Sequence, residues 1–304
     1  MHRRTLVTTL PWLGTLMTST AAQADSSSGD LASYYDRHLA LVDGVAWSWV
    51  GRGTPQRVRA GVLQVGVGKH ASFALLGDSV LVTWTEAPDA ATVLMQGVQH
   101  FAAGASGWFA IDRASALWHG TSTGSTTAPR RIAENVIAAC IGDSADYYIT
   151  RDGTLYAKGL AQRGQYGDGR LTPTPDFVPT ARDAVAVRAH TGHAIHLRRD
   201  GVVMGTGGNR FGPLSSHGLG DKADRWGPLF DGAVAIATGS RHSVAIRGDA
   251  SLWAWGEGFT IAPKKLLDQV VAVAAGDTAT IARTADGALW QWDGGAGPRR
   301  LVLR

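Results

Sequence analysis

The sequence predicts an all-β protein, and more specifically a seven-bladed β-propeller. Three observations lead to this fold class: 39 glycines and 11 tryptophans in 304 residues, a unit that recurs seven times, and alternating apolar and polar residues within the unit. Frequent glycine with valine, isoleucine and aromatic residues is typical of short strands joined by tight turns. Charged residues make up only 18% of the chain, which argues against a disordered protein or a coiled coil.

A spacing of ten residues recurs through the chain. It separates a glycine from an aspartate in four units, as in Gly276 and Asp286, and three more units keep the spacing with one position changed. The first positions of the seven units, here called anchors, are Ser33, Gly68, Gly104, Gly142, His190, Gly239 and Gly276. An anchor glycine allows either a positive φ or a close approach between backbones. Because a single unit cannot bury both faces of a small sheet, the units are expected to stack into a ring.

Each unit also carries the signals of antiparallel strands. Residues 243–247 alternate between apolar and polar types, which predicts a half-buried strand. Trp253 and Trp255 lie at alternate positions of the strand expected next. An Asp-Gly pair predicts a hairpin turn with both residues at positive φ. Such pairs occur at Asp43-Gly44, Asp152-Gly153, Asp200-Gly201 and Asp286-Gly287.

Three segments carry a resemblance to a known family. GSRHS at 239–243, SLWAWG at 251–256 and GQYGDG at 164–169 resemble the repeat of the regulator of chromosome condensation family. The resemblance covers about 33–304 and is strongest in units four to seven. It implies a seven-bladed propeller of four-stranded blades that works mostly by protein contact. Members include chromatin-linked exchange factors and, among exported bacterial relatives, enzyme inhibitors.

Basic pairs recur shortly after prolines, at Arg130/Arg131, Lys264/Lys265 and Arg299/Arg300. The first two segments are expected to begin the blade that follows them. The last segment, Arg299–Arg304, has no following unit, so we expect it to pair into the first blade and close the ring. The pairs themselves fit a solvated edge strand or a basic rim for an acidic polymer or partner.

The first 24 residues are predicted to be an export signal peptide. Arg3 and Arg4 precede a mostly apolar stretch, and Ala22-Gln23-Ala24 has the small-x-small form of a cleavage site. The adjacent arginines fit a twin-arginine signal as well as a general export signal. Residues 25–304 are then expected to form a single propeller domain in the periplasm or outside the cell, which makes this an exported bacterial-type member of the family.

Charge and cysteine content limit the function classes. Removal of Arg3 and Arg4 lowers the formal net charge from +4 to 27 − 25 = +2, which is too small for a dedicated nucleic-acid binder. No apolar run after the signal is long enough to span a membrane. Cys140 is the single cysteine, so an internal disulfide framework is excluded. A monomer is expected.

No pattern in the sequence points to catalysis, a metal or a cofactor. His193 and His242 occupy the repeat's Gly-x-x-His position, so we interpret them as scaffold residues. His190, His193 and His196 do not share one strand face, which argues against a common metal ion. Ser122 lies in a Gly-x-Ser-x-Gly match, but a polar loop follows it instead of the helix that a nucleophile elbow needs. We therefore expect a non-catalytic protein.

Two long segments stand out as candidate binding loops. They are Leu160–Asp183 and Gly205–Gly232, on consecutive blades four and five, and binding residues concentrate on loops held by a rigid frame. Arginine and tryptophan are also common at protein interaction hot spots. The predicted partner-binding residues are Arg163, Tyr166, Arg170, Asn209, Arg210, Phe211, His217, Arg225 and Trp226. Turn structure remains an alternative for the segment around Tyr166.

These observations predict an exported, non-catalytic propeller that binds a protein partner through the rim loops of blades four and five. An inhibitor, an immunity protein and an envelope scaffold all fit. A carbohydrate-binding or carbohydrate-cleaving propeller of the envelope is the alternative, with Trp226 near Asp221 as its best candidate site. A cytoplasmic nucleic-acid or chromatin protein would require that the N-terminal signal is misread.

Overall fold

Seven antiparallel sheets follow one another along the residues described by the computed structural model, which are 28–121, 128–217, 220–294 and 297–303. Six sheets contain four consecutive strands in chain order, and the sheet of the second blade has a fifth strand, since residues 28–29 pair with its first strand. The prediction of an all-β, seven-bladed propeller is therefore confirmed. The signal peptide assigned to residues 1–24 and the candidate Ser122 lie outside the described residues.

The strands are numbered in chain order, starting with β1 (Ser28–Gly29) ahead of the first blade. Blades one to three are formed by β2 (Leu31–Tyr34), β3 (Arg37–Val42), β4 (Val45–Val50), β5 (Gln56–Ala60), β6 (Val62–Val67), β7 (Ser72–Leu76), β8 (Leu81–Trp84), β9 (Thr92–Met95), β10 (Val98–Ala103), β11 (Trp108–Asp112), β12 (Leu117–Gly120) and β13 (Arg130–Ala133). A 3-10 turn, Pro88–Ala90, precedes β9.

The remaining four blades carry the longest loops. They are formed by β14 (Val136–Ile141), β15 (Ala145–Thr150), β16 (Leu155–Gly159), β17 (Thr174–Ala181), β18 (Ala184–Ala189), β19 (His193–Arg198), β20 (Val203–Gly208), β21 (Lys222–Phe230), β22 (Ala233–Thr238), β23 (His242–Arg247), β24 (Leu252–Gly256), β25 (Lys264–Leu267), β26 (Val270–Ala275), β27 (Ala279–Thr284), β28 (Leu289–Asp293) and β29 (Arg299–Leu301). None of the described helical residues form an apolar segment of membrane-spanning length.

The antiparallel order gives the propeller two different faces. The turn face carries the turn between the second and third strands of each blade and the connection to the next blade. The loop face carries the hairpin after the first strand and the loop before the fourth. On the turn face, each new blade bonds to the turn of the previous one: Val62 N donates to Gly44 O (3.1 Å), and Val270 N donates to Ala250 O (2.8 Å).

On the loop face, the anchor glycines allow neighbouring blades to approach closely. A Cβ atom on Gly68 would lie 2.8 Å from Gly104 O, and one on Gly239 would overlap Gly276 O. At the first of these boundaries, the residue after the anchor also bonds to the next blade: Lys69 N donates to Gly104 O (3.3 Å). The anchor glycines do not adopt a positive φ, so of the two predicted reasons for glycine the close approach is the one observed.

The first unit departs from this pattern. Ser33 lies inside β2 and not after it, because β2 and β3 are joined by a two-residue hairpin in which Tyr34 pairs with Arg37. Tyr35, at φ 52°, takes the anchor position, and its carbonyl accepts a hydrogen bond from Asp277 N (3.1 Å). The ten-residue spacing from Ser33 to Asp43 therefore does not mark structurally equivalent positions.

The Asp-Gly turns are of two kinds. In Asp43-Gly44 both residues have positive φ, at 51° and 71°, as predicted. In the other three pairs only the glycine does, and the aspartate side chain caps the turn instead. The Asp152 carboxylate, for example, accepts hydrogen bonds from Thr154 N (3.1 Å) and Thr150 Oγ1 (2.6 Å), and these bonds lower the Asp152 pKa.

The prediction that the C-terminal segment pairs into the first blade is wrong. β29 pairs with β28 and is the outermost strand of its own blade, as β13 and β25 are of theirs. The basic pair after each proline therefore ends a blade and does not begin one. Besides the backbone bond from Asp277 N to Tyr35 O, side chains join blades one and seven and close the ring: Trp49 Nε1 donates to Gln291 Oε1 (3.0 Å), and Gln291 Nε2 donates to Gly51 O (2.9 Å).

The core consists of apolar layers, many of them between adjacent blades. Leu31, Ala40 and Trp49 of blade one pack with Ile281 and Leu289 of blade seven, and similar clusters join other neighbouring blades. The two tryptophans of each pair lie at alternate positions and therefore share one face of their strand. Trp49, Trp255 and Trp292 are buried there, whereas Trp47, Trp253 and Trp290, two residues earlier in the strand, are half-buried.

Candidate interaction site on the loop face

The two long segments of blades four and five end in strands. Residues 174–181 form β17 and residues 222–230 form β21, so the loops themselves are 160–173 and 209–221. Arg225 and Trp226, predicted as loop residues, therefore lie on the outermost strand of blade five. Both loops lie on the loop face, because each joins the third strand of its blade to the fourth.

The loop of blade four packs directly on β21 of blade five. Asp168 forms an antiparallel bridge with Arg225, Trp226 N donates to Gly167 O (3.0 Å), and Gly169 N donates to Asp224 O (2.7 Å). The two loop regions are therefore neighbours on one rim.

Tyr166 and Asn209 do not face a partner. The Tyr166 side chain is fully buried, and its hydroxyl donates to Gly159 O (2.8 Å) and accepts from Thr174 N (3.2 Å). Asn209 is also buried; its Oδ1 accepts from Leu214 N (3.0 Å). Their assignment as partner-binding residues is corrected, because both side chains shape the loops from inside.

His217 and Trp226 are half-buried and fasten the loops to β21. His217 Nε2 donates to Arg225 O (3.0 Å), and the His217 ring covers Gly227. Trp226 packs edge-on against the buried His196, with ring centroids 4.6 Å apart, and its indole lies against Gly167. These contacts hold the backbone of both loops in a fixed position.

The remaining predicted residues are exposed at the surface. They are Arg163, Arg170, Arg210, Phe211 and Arg225. Arg170 pairs with Asp168 at 3.3 Å, whereas Arg163 and Arg210 have no ion-pair partner among the described residues. Phe211 is 40% exposed, with the Arg241 guanidinium 4.4 Å from the centre of its ring.

A cleft of about 690 Å³, here called the loop-face cleft, opens between the blade-five loop and the mouth of the central channel. Its lining comes from blades one and four to seven, and it includes Tyr35, Arg163, Arg210, Phe211, Lys222, Ser240, Arg241 and Asp277. Four of these residues were not predicted from the sequence: Tyr35, Ser240, Arg241 and Asp277. Ser240, Arg241 and Asp277 follow an anchor glycine by one or two residues, so the anchor spacing was a signal for these three. Tyr35 takes the anchor position of the first unit, which the spacing had assigned to Ser33.

A polar cluster, here called the axial cluster, lies beside the cleft and joins blades across the channel. The Tyr34 hydroxyl donates to one oxygen of Asp143, and Thr191 Oγ1 donates to the other (3.2 Å). His190 stacks on Tyr34 with ring centroids 5.2 Å apart, and its Nδ1 lies 3.2 Å from Ser240 Oγ. Burial and the bond to Asp143 raise the Tyr34 pKa well above its usual value, so Tyr34 remains a donor.

The axial cluster does not have the geometry of a catalytic triad. Ser240 Oγ (3.2 Å) and Asp143 Oδ2 (3.9 Å) both approach the same nitrogen of His190, Nδ1. A general base needs the nucleophile on one ring nitrogen and the orienting carboxylate on the other. Burial also lowers the His190 pKa, so the ring is neutral at pH 7.

His193, His242 and Cys140 are built into the scaffold. His193 Nε2 bonds to Ser243 Oγ (3.1 Å) and His242 Nε2 bonds to Thr280 Oγ1 (2.9 Å), each across a blade boundary, which confirms their interpretation as scaffold residues. Cys140 is buried. In the described ranges, no group of three or more His, Cys, Asp or Glu residues is placed to hold a metal ion.

The basic pairs lie on outermost strands, where charge blocks pairing with other sheets. Arg131, Lys265 and Arg300 pair with a tryptophan of the neighbouring strand, Trp118, Trp253 and Trp290 in turn. Two of the three also reach an acid three residues on, as in Lys265–Asp268 at 2.6 Å. This arrangement is that of a solvated edge strand.

Comparison with known sequences gives distant relatives that contain the same repeat. No family model matches the chain. The ultraviolet-B receptor UVR8 of Arabidopsis thaliana is 27% identical over 122 residues, which is 36% of this chain and 27% of the receptor. The human E3 ubiquitin-protein ligase HERC2 is 28% identical over 127 residues, which is 38% of this chain and 3% of the ligase. The matches therefore span less than a third of either relative.

Comparison with solved structures covers the whole ring. Prp20p of Saccharomyces cerevisiae, described with its binding to Gsp1p and histones, has a TM-score of 0.68 at 17% identity and covers 81% of this chain and 80% of its own. Yeast RCC1 (Prp20) in a structure with Kap60 has a TM-score of 0.71 at 15% identity, with 96% and 85% covered. The repeat and the seven four-stranded blades agree with these relatives, and the chain is an RCC1-like seven-bladed β-propeller.

Proposed function

We propose that this chain is an exported, non-catalytic propeller that binds a protein partner on its loop face, at the loops of blades four and five. The observation that carries the proposal is the loop-face cleft. It combines a half-exposed aromatic ring, Phe211, with cations that have no ion-pair partner among the described residues, Arg163, Arg210 and Lys222. Arginine and aromatic side chains supply most of the binding energy at protein interfaces.

Buried contacts hold the described residues of these loops, 160–173, 209–217 and 220–221, against the blades. Tyr166, Asn209 and Trp226 hold both loops against the blades through buried bonds and ring contacts. A preorganised loop loses little conformational entropy on association, and more of the contact energy therefore remains as affinity. Residues that a partner would touch are thus separate from residues that maintain the loops.

The structural relatives support a protein partner without identifying it. Yeast Prp20 is described with Gsp1p, with histones and with Kap60, all of them proteins. For this chain we propose a partner in the envelope or outside the cell, because residues 1–24 have the features of an export signal. Inhibition of an enzyme, immunity to one, or an envelope scaffold are the roles that fit such a location.

The carbohydrate alternative draws less support from the geometry. A sugar-stacking platform needs an open aromatic face next to a carboxylate. Trp226, its candidate, is half-buried with its indole against Gly167 and the buried His196 at its side. Its ring therefore serves the packing of the two loops.

The test is partner capture from the cells that make the protein, with the full chain tagged at its C-terminus. The loop-face variant is Arg210→Ala/Phe211→Ala. The matched control is Arg199→Ala/Val234→Ala, an arginine and an exposed aliphatic residue of the turn face. We expect a stoichiometric protein with the wild type and the control, and its loss with the loop-face variant.

Two other results would count against the proposal. A partner that survives the loop-face variant and disappears with the control would move the site to the turn face. Retention of glycan without any protein would favour the carbohydrate alternative. Mass spectrometry of the purified protein tests export, since a mature chain should begin at Asp25, whereas an intact Met1 would favour a cytoplasmic protein.

A further inference from the structure

We infer that the loop-face cleft is one half of a groove with opposite charges at its two ends, and that it takes a peptide segment with acidic side chains at one end and basic side chains at the other. The acidic end of the segment would lie over blades four and five, and the basic end over blades seven and one. This inference rests on the proposed function and specifies the chemistry of the partner.

The basic end of the groove is formed by Arg163, Arg210 and Lys222. None of the three has an ion-pair partner among the described residues, and the Arg163 side chain lies against Gly192 and Gly208, where a larger residue would displace it. Exposed cations without a partner keep their capacity for charge-assisted bonds to carboxylates.

Two further charged side chains modify this end. Arg241 is engaged by Glu257, with contacts of 3.0 and 3.2 Å, and lies over the Phe211 ring, so it orients the ring and adds no net charge. Asp221 lines the cleft beside Lys222 and lowers the local charge by one. The basic end therefore keeps a net charge of about two positive units from 3 − 1.

The acidic end lies across the channel mouth. A second cavity of about 440 Å³ is lined by Asp36, Asp277 and Asp293, and it shares Tyr35 and Asp277 with the loop-face cleft. Asp293 lies 3.6 Å from Arg52, which is 59% exposed, whereas Asp36 and Asp277 have no ion-pair partner among the described residues. The shared residues place the two cavities side by side, and the proposed groove runs through both.

The axial cluster gives this groove a solid floor. Tyr34, Asp143, Thr191 and His190 bond or stack across the channel from several blades. A ligand is therefore expected to lie across the channel mouth and not to enter the channel.

The charge separation selects both the class and the direction of the ligand. A nucleic acid would meet the two carboxylates of the acidic end without an ion-pair partner among the described residues, Asp36 and Asp277, which repel phosphate. A purely acidic peptide would meet the same repulsion. A peptide with separated charges satisfies both ends in one direction only, because in the other direction like charges would face each other.

Two labelled peptides of identical composition test the inference. One has three glutamates, a short Gly-Ser spacer and three lysines, and the other alternates glutamate and lysine. Fluorescence anisotropy with the tagged, purified protein at low salt should give at least tenfold tighter binding of the separated peptide. The preference should disappear at 0.5 M salt, where the Debye length falls to about 4 Å.

Matched variants assign the two ends. Arg163→Ala/Arg210→Ala and Asp36→Asn/Asp277→Asn should each reduce the affinity for the separated peptide about tenfold. Arg199→Ala/Asp231→Asn, an arginine and an aspartate of the turn face, should leave it unchanged. All of the altered side chains are at least partly exposed, and the circular dichroism and melting temperature of each variant confirm that it folds.

Equal affinity for the two peptides, no binding of either, or indifference to one of the end variants would overturn the inference. These failures are distinct from failure of the proposed function. A captured partner that depends on Arg210 and Phe211 but is unaffected by Asp36→Asn/Asp277→Asn supports the function and removes the two-ended groove. If the protein distinguishes the two peptides but captures no protein from the cells, the two-ended groove is supported and the proposed function is not.

Discussion

The two faces of the propeller differ in how their polar groups are used. On the turn face, the polar side chains bond to the turns themselves: Asp152 and Asp286 cap their own turns, and Arg113 and Arg151 donate to serines of the preceding turn, both at 3.0 Å. On the loop face, Arg163 and Arg210 have no such partner. The turn face also has an exposed arginine without such a partner among the described residues, Arg199, but on the loop face Arg163 and Arg210 line one cleft, where a single ligand could contact both.

Acid should affect the two faces in different pH ranges, and this is the largest effect that we expect. Burial, with smaller effects from neighbouring histidines, lowers the pKa of His193 to about 3 and that of His242 to about 4, near the loop face. Both are neutral when folded and bind a proton at about pH 6.5 when unfolded. Their contribution to stability is therefore complete above pH 6.5 and is lost as the pH falls toward 4.

Each such histidine should contribute a slope of about 1.4 kcal/mol per pH unit between pH 6 and 4. The turn-face aspartates behave differently, because hydrogen bonds lower the pKa of Asp152 and Asp286 below 3.8, and their contribution is lost only below that value. Urea unfolding at several pH values measures the slope, and His242→Gln should reduce it. A constant free energy of unfolding down to pH 4 would contradict the assignment.

The next-largest effect is expected from glycine substitutions, which should cost more stability on the loop face than on the turn face. An added Cβ on the anchor Gly276 would overlap Ser33 Oγ and the Tyr35 carbonyl, so Gly276→Ala should cost about 3 kcal/mol as overpacking at the boundary of blades seven and one. On the turn face, Gly287 has a φ of +82° and its Cβ would meet no described atom within 4 Å. Gly287→Ala should therefore cost only the left-handed conformation, about 1 kcal/mol.

Thermal and urea unfolding of the two variants measure this difference. Similar losses of stability in both would show that the blade boundary accommodates a Cβ atom at the anchor, so that the close approach of the blades does not require glycine there.

The sequence predicted this repeat well, because the anchors, the turns and the alternating tryptophans are local patterns with local causes. The prediction from sequence failed where one residue pattern is compatible with two different structures. Ser33 matches the ten-residue spacing although β2 and β3 are joined by a shorter hairpin, and Arg299 follows the same proline pattern whether its strand begins a blade or ends one.

The site was predicted only in part, for a similar reason. Residue types and loop length located the blade-four and blade-five loops, but they did not distinguish Tyr166 and Asn209, which face inward, from Arg210 and Phe211, which face outward. Tyr35 and Asp277 were missed because their place in the groove depends on closure of the ring, which brings blades one and seven opposite blade five.

Loss of a cap should matter more in the buried loop than in an exposed turn. Asn209→Ala removes the acceptor of Leu214 N, a buried donor, and should cost about 1–2 kcal/mol and weaken partner capture through disorder of the blade-five loop. Asp286→Ala removes an acceptor from a turn that water can reach, so its effect on stability should be smaller and partner capture should not change. A normal affinity of the Asn209→Ala protein at 25 °C would show that the loop keeps its shape without this bond.

The smallest expected effect bears most directly on the comparison of the faces. Arg151→Ala removes a bond to Ser115 and should lower stability by about 0.5 kcal/mol, as is usual for an exposed polar contact. Arg210→Ala removes no ion pair and should leave the melting temperature unchanged while it reduces binding of the charge-separated peptide. A residue that affects binding and not stability is one that the fold does not use. If Arg210→Ala lowered the melting temperature more than Arg151→Ala, the loop-face cation would belong to the scaffold and the distinction between the faces would fail.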